Sequence, residues 1–314
     1  MTRRAVVLMN LGGPDSPAAV RPFLYNLFSD PAIIRLPRLL RDPLARLIAW
    51  RRAKTAAEIY AQLGGASPLL ANTEAQAAAL EAALGDGSRC FIAMRYWHPR
   101  AAAAVAAVAA WPADEVVCLP LYPQFSTTTT QSSLDEWQRE ARRRGFDRPT
   151  RAVSSWPTAP GFIAALAGRI EAALAAAPPG KLRLLLSAHG LPQAIVRAGD
   201  PYPEQVAATA AAVAAALGRP GLDWRVCYQS RVGPLAWLGP SLDEEVRRAA
   251  ADGAGLLVAP ISFVSEHSET LVELDRDYRR LAEALGVRFY LRVPTVGTDP
   301  AFIAALAELV EAAG

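Results

Sequence analysis

Ala5-Val6-Val7-Leu8-Met9-Asn10-Leu11 runs straight into Gly12-Gly13-Pro14. The run is apolar almost throughout and does not alternate in polarity. That pattern fits a strand covered on both faces, as in a parallel sheet. The glycines and proline then stop it in a tight turn, or in a loop able to hold an anion. Similar runs recur along the chain. Cys90 to Met94, Glu115 to Leu121 and a weaker Arg151 to Ser155 follow the first. A second set comprises Leu182 to Ser187, Trp224 to Tyr228, Gly255 to Ile261 and Arg288 to Val293. Between them lie segments rich in Ala, Leu and Glu that read as helices: Thr73 to Leu84, Pro99 to Ala110, Gly161 to Ala177, Pro203 to Leu217, Ser241 to Ala251, Ser268 to Leu285 and Pro300 to Ala313. Asp42 with Pro43 reads as an N-cap and first-turn proline, and Ser241 with Glu244 as a capping box. Alternating strands and helices define an α/β fold with parallel sheets. Eight strands would suit a closed barrel. They fall instead into two sets of four divided near Trp156-Pro157, so two open sheets are expected, one in residues 1–155 and one in 156–314. In open sheets, ligands bind at the carboxyl ends of the strands.

Composition narrows the function. The chain has 314 residues, 52% of them hydrophobic and 20% charged, which excludes a disordered tail or a collagen-like polymer. The net charge of +3 is too balanced for nucleic-acid binding by bulk electrostatics. Cys90, Cys118 and Cys227 are far apart and form no CxxC pair, which excludes a zinc ribbon, a disulfide framework and a thioredoxin-type motif and points to a reducing cytoplasm. The first apolar run is short for a signal peptide and lacks a cleavage pattern, and no apolar stretch is long enough to span a bilayer. No GxGxxG follows a strand, and neither GxxxxGK[ST] nor GxSxG occurs, so nucleotide-binding and α/β-hydrolase readings are weak.

The remaining chemistry gathers around two of the three histidines, His98, His189 and His267. His189 follows the run Leu182 to Ser187 and is itself followed by Gly190-Leu191-Pro192. His267 lies in Ile261-Ser262-Phe263-Val264-Ser265-Glu266-His267-Ser268-Glu269-Thr270. Each could simply satisfy a loop hydrogen bond, but two imidazoles at strand ends of one sheet, with carboxylates attached, can face one cleft. Glu269, Glu273 and Asp277 are four residues apart and share one helical side. That row is either a solvated stripe or a path that passes a divalent cation or protons inward. Imidazole and carboxylate suit ferrous iron and its first-row neighbours, and the lack of a thiolate argues against structural zinc.

The chain resembles the ferrochelatases, enzymes that insert ferrous iron into a porphyrin. The likeness is carried by Leu8-Met9-Asn10-Leu11-Gly12-Gly13-Pro14, Gly64-Gly65-Ala66-Ser67-Pro68, Met94-Arg95-Tyr96-Trp97-His98-Pro99, Leu121-Tyr122-Pro123-Gln124-Phe125-Ser126, Ser187-Ala188-His189-Gly190-Leu191-Pro192, Gly199-Asp200-Pro201-Tyr202-Pro203, Tyr228-Gln229-Ser230-Arg231-Val232-Gly233-Pro234, Trp237-Leu238-Gly239-Pro240 and Phe263 to Leu271. The resemblance implies two Rossmann-like open parallel-sheet domains of chelatase type with the active-site cleft between them, the last helix packing back on the first domain. It implies that His189 is the active-site imidazole, Glu269 its carboxylate partner and His267 the neighbour that organises them, with His189 and Glu269 meeting the metal. It places the acidic row on an unwound, π-type helix. Leu11, Arg52, Tyr60, Ser67, Tyr96, Tyr122 and Trp237 match positions that line the porphyrin pocket or meet its propionates. The implied reaction takes ferrous iron as substrate, not as a resident cofactor. It converts protoporphyrin IX to protohaem, the terminal step of haem biosynthesis, and releases two protons. Coproporphyrin III as substrate, another metal such as cobalt, or a non-catalytic haem carrier are the alternatives. Some members carry a cysteine-ligated [2Fe–2S] cluster. No cysteine follows Cys227 here, so no cluster is expected. Glu266 stands where some members have Asp and Gly190 where some have Ser, and neither change removes a proposed ligand.

The segment 33–54 adds one expectation. It sets Leu36, Leu39, Leu40, Leu44, Leu47, Ile48 and Trp50 among Arg35, Arg38, Arg41, Arg46, Arg51 and Arg52, and Leu40, Leu44, Leu47 and Ile48 share a helical face. That face is either core or an apolar lip at the cleft mouth, resting on anionic membrane with its arginines at the headgroups. The lip reading makes the chain cytoplasmic with peripheral membrane contact and favours protoporphyrin IX.

Overall fold

A computed structural model describes residues 2–231, 233 and 235–313. All eight apolar runs form strands: β1 (Arg4–Asn10), β2 (Ser88–Met94), β3 (Glu115–Pro120), β4 (Thr150–Ala152), β5 (Leu182–His189), β6 (Asp223–Gln229), β7 (Gly255–Pro260) and β8 (Tyr290–Arg292). They make two open parallel sheets, ordered β2-β1-β3-β4 and β6-β5-β7-β8. The central strands β1, β3, β5 and β7 are buried nearly end to end, as their unbroken apolar sequences require. Outer strand β4 is exposed along its length, and its apolar run is correspondingly the weaker one.

The chain divides into two compact units. One comprises the residues up to Tyr122, Ser126–Ser155 and the chain from Leu306; the other comprises Pro123–Phe125 and Trp156–Ala305. In each sheet the first strand has its successor on one side and the third strand on the other. The chain therefore reverses direction between β1 and β3 and again between β5 and β7. Such switch points leave a crevice beyond the strand ends. Leu11 follows β1 at one of them, and His189 ends β5 at the other.

The helices are α1 (Val20–Phe28), α2 (Arg38–Ala61), α3 (Leu69–Leu84), α4 (Ala101–Ala110), α5 (Ser132–Arg143), α6 (Pro160–Ala176), α7 (Gln193–Arg197), α8 (Tyr202–Leu217), α9 (Leu242–Ala251), α10 (Arg279–Ala284) and α11 (Pro300–Ala313). The Ser241–Glu244 capping box opens α9 as expected. The Asp42-Pro43 start does not form. Helix α2 begins at Arg38 after Pro37 and carries Pro43 inside it, while Asp42 pairs with Arg38 at 3.2 Å. Pro43 is close enough to the helix start that few backbone bonds are lost. The helical segment expected from Ser268 opens with a π-helix, Glu269–Tyr278, as the resemblance implied for the acidic row, and continues as α10. A shorter π-helical turn, Thr127–Gln131, precedes α5 in the other unit.

The duplication extends to detail. The N–H of Met94, at the end of β2, bonds the Pro99 carbonyl at 2.7 Å, and that of Tyr228 in β6 bonds Pro240 at 2.9 Å. Thr158-Ala159-Pro160-Gly161-Phe162-Ile163-Ala164-Ala165-Leu166 recurs as Thr298-Asp299-Pro300-Ala301-Phe302-Ile303-Ala304-Ala305-Leu306.

Candidate active site

In the second unit, strand β5 delivers His189, the loop after β7 delivers His267, and the first residue of the π-helix that follows is Glu269. His189 Nδ1 lies 2.8 Å from Glu269 Oε2. A carboxylate can only accept, so Nδ1 carries the hydrogen and Nε2 is left with the free lone pair. The His189 and Glu269 side chains are 40% and 27% exposed, which leaves both open to a ligand. His267 is buried. Its Nδ1 donates to the Ser265 carbonyl at 3.0 Å, and its backbone N–H donates to Thr270 Oγ1 at 2.9 Å. The other ring nitrogen, Nε2, faces Glu269 Oε2 at 3.8 Å. Phe263 packs beside both imidazoles, with ring centroids 4.6 Å from His267 and 6.4 Å from His189.

Electrostatics follow from these contacts. Burial pulls the His189 pKa down, but the Glu269 and Glu273 carboxylates outweigh it, and the imidazole sits above its ordinary value of 6.5. Burial opposes ionisation of Glu269, yet His189 and His267 hold its carboxyl well below the usual range. Glu273 moves the opposite way: burial and the Glu269 charge push it up. Neighbouring carboxylates with pKa values driven apart are a recurrent mark of acid–base sites. Among the described residues, no three His, Cys, Asp or Glu side chains form a cluster able to hold a metal ion.

Trp237 lies in the same unit. Its loop is tied to the turn after His189 by Gln193 N–H to the Ala236 carbonyl (2.8 Å), Leu238 N–H to Leu191 (2.9 Å) and Gln193 Nε2 to Trp237 (3.1 Å). The other six pocket positions belong to the first unit. Leu11, Tyr60 and Tyr96 pack in one apolar cluster with Val20, Phe23 and Leu24, and the Arg52 guanidinium lies 5.6 Å above the Phe28 ring. Gly12 takes φ 80°, and Gly13 sits so close to Ser67 that a Cβ there would lie 2.5 Å from the Ser67 Cβ. The glycine pair therefore lets the chain pass close against Trp97 and Ser67, in a segment that forms no hydrogen-bonded turn. Tyr122 is half-buried, with its hydroxyl enclosed.

Tyr96 is fully buried. Its hydroxyl donates to Asp30 Oδ2 at 2.8 Å, an oxygen that also accepts from Arg95 (2.7 Å) and from Ser132. Arg95 reaches Glu136 as well, at 2.7 Å. Asp30, Gln229 and Ser230 were not singled out individually by sequence reasoning. Gln229-Ser230 follows the run Trp224 to Tyr228 and so sits at a strand's carboxyl end, which was the available signal.

Two parallel sheets with a histidine–carboxylate pair at a switch point define the molecule as an α/β chelatase fold. Solved structures bear this out. SirB from Bacillus subtilis with Fe3+ matches at a TM-score of 0.53 and 14% identity, over 99% of this chain and 95% of that one. CbiX, described as the terminal enzyme for siroheme biosynthesis in denitrifying bacteria, matches at 0.52 and 17% over 99% of both chains. At such identities the likeness concerns the fold. The ferrochelatase family model matches residues 3–313. Relatives named ferrochelatase are 56% identical in Caulobacter vibrioides (99% of this chain, 90% of the relative) and 58% in Phenylobacterium zucineum (97% and 89%). Another, from Wolbachia pipientis wMel, is 47% identical over 98% of both. The chain belongs to the ferrochelatase family.

Proposed function

We propose that this chain inserts ferrous iron into protoporphyrin IX, with His189 as the proton acceptor and Glu269 as its partner. The observation that carries the reading is the 2.8 Å contact that fixes Nδ1 of His189 as the donor and leaves Nε2 as the base. Metalation exchanges two pyrrole hydrogens for one dication. His189 Nε2 takes the two pyrrole protons in turn, releasing the first to solvent before it accepts the second, and each imidazolium that forms is stabilised by the Glu269 carboxylate on its other side. Once the proton has left toward solvent, the same lone pair and the Glu269 carboxylate can meet the incoming metal. Phe263 and the Ser265 carbonyl hold His267 beside them, so His267 orders the site and is not its base. Binding a bent macrocycle would tip its nitrogens toward His189, with strain of about 1–5 kcal/mol drawn from burial of the ring.

Leu11, Arg52, Tyr60, Ser67, Tyr96, Tyr122 and Trp237 are assigned to the porphyrin pocket. Tyr60 and Tyr96 act there from buried positions. Helix α2 favours a membrane-facing lip. Leu39 is 89% exposed and Leu40 and Trp50 are each 61% exposed, whereas the helix packs inward through Ala45, Ala49 and Tyr60. The contact proposed is peripheral, through the exposed apolar side chains of α2, and no helix among the described residues is long and apolar enough to cross a membrane. No iron–sulfur cluster is assigned. In support, a cluster held by cysteines alone takes four thiolates, and the three cysteines Cys90, Cys118 and Cys227 lie on separate strands, β2, β3 and β6.

The test is an anoxic assay of the purified chain with ferrous iron and either protoporphyrin IX or coproporphyrin III, followed by the Soret band. The expected result is catalytic metalation, faster with protoporphyrin IX. Tight binding of either porphyrin without metalation would replace the enzyme with a carrier.

A further inference from the structure

Beyond the His189–Glu269 pair, the second unit holds a polar grip that the mechanism has not used. Strand β6 pairs with β5 so that Gln229 stands beside His189. Gln229 is fully buried. Its Oε1 accepts from Ser187 Oγ at 2.8 Å, and its Nε2 donates to the Glu269 carbonyl at 3.1 Å and approaches Glu273 Oε2 at 3.4 Å. The next residue, Ser230, has φ 61° and is the only described non-glycine residue in the left-handed region. That conformation turns both of its donors on one carboxylate. The Ser230 N–H reaches Glu273 Oε1 at 2.8 Å, and its hydroxyl reaches Oε2. An uncommon backbone conformation is kept only where the surroundings over-determine it.

The duplicated unit supplies an independent comparison. Met94 and Tyr228 occupy the same place, each with its N–H on the carbonyl of the proline that follows. Arg95 and Tyr96 therefore correspond to Gln229 and Ser230. In the first unit these two residues also reach past their strand end: Arg95 bonds Ser132 at 2.7 Å, directly after the π-helical turn, and Tyr96 bonds Asp30. In both units, the two residues that follow this shared position tie down the chain beyond the switch point. In the second unit their target is a carboxylate.

We infer that Ser230 is a positioning residue: its paired N–H and O–H donors hold the Glu273 carboxylate in line behind Glu269, so that Glu273 delivers the divalent metal to the His189–Glu269 pair. The inference rests on the reading of that pair as the metalation centre. The Ser230 N–H and O–H fall on different oxygens of that carboxylate, which fixes its orientation.

The experiment uses ferrous iron and protoporphyrin IX under anoxia, with kcat and both KM values measured, and porphyrin Kd measured by fluorescence without metal. Ser230→Gly keeps the left-handed backbone and the N–H but loses the hydroxyl. The expected result is a loss of about tenfold in kcat/KM for iron, the size of one charge-assisted hydrogen bond, with porphyrin Kd unchanged within about twofold. Glu273→Gln gives a similar loss, and the double variant is no worse than either single one. Ser230→Asn, which tolerates the left-handed backbone and carries a donor, restores most of the metal-dependent rate. Additive losses, or an effect confined to porphyrin affinity, would overturn the inference. A wild-type chain that metalates no porphyrin would sink the underlying reading instead, before any variant is compared.

Discussion

Replacing His189 by alanine separates chemistry from folding. The stability cost is small on structural grounds. The His189 and Glu269 side chains are 40% and 27% exposed, so their ion pair contributes no more than about 1 kcal/mol after solvent screening. Lost contact with Phe263, whose ring centroid lies 6.4 Å away, adds about 1 kcal/mol more. For units of this size each kcal/mol moves Tm by about 2–4 °C, so the variant should melt within roughly 8 °C of the wild type. The kinetic cost is larger. A positioned base is worth about 10²–10⁴ in rate, or about 3–5 kcal/mol of barrier. Single-turnover anoxic metalation at saturating porphyrin, run beside a thermal melt, reads both quantities. The expected outcome is a folded protein with its insertion rate lowered at least about a hundredfold. A variant within threefold of wild-type rate would refute His189 as the base. A collapsed melt would refute the claim that its role is chemical rather than structural.

Other changes test the frame. Arg95→Met leaves the buried Asp30 carboxylate without its cation, and Glu136 with only Arg100 and Arg139, and should cost about 3–5 kcal/mol, checked by urea unfolding. Gly13→Ala forces a Cβ against Ser67 and should cost about 1–3 kcal/mol, with a raised KM for porphyrin; unchanged stability would show that the turn yields. Leu39→Ser combined with Trp50→Ser should weaken sedimentation with anionic liposomes at low salt while leaving metalation of detergent-solubilised porphyrin intact. Equal binding by wild type and variant would remove α2 as the lip.

Much of this fold is written in the apolar runs. Each run became a strand because a parallel sheet buried on both faces leaves no room for alternation, as in β7, where every residue is buried. Helices α1 and α5 escaped expectation, although Val20, Phe23, Leu24 and Leu27 in one and Leu134, Trp137 and Ala141 in the other follow helical spacing. Proline misled at position 43, because a proline early in a helix resembles a first-turn proline. The pairing of His189 with Glu269 was expected from family resemblance; the residues themselves suggested only two imidazoles near one crevice. Gln229 and Ser230 stayed hidden for a physical reason. Their grip depends on a left-handed φ at a serine and on a π-helix that sets Glu273 within reach, and residue types encode neither.

The central claim is that His189, held by Glu269, accepts the pyrrole protons. The pH dependence of kcat reports on it most directly. Because the Glu269 and Glu273 charges outweigh burial at His189, the imidazole is protonated and idle below a midpoint that lies above 6.5, and the rate rises as pH passes through it. In Glu269→Gln, burial loses its main opponent, so the remaining activity should show its acid limb at lower pH. An acid limb at the same pH in both proteins would contradict the account.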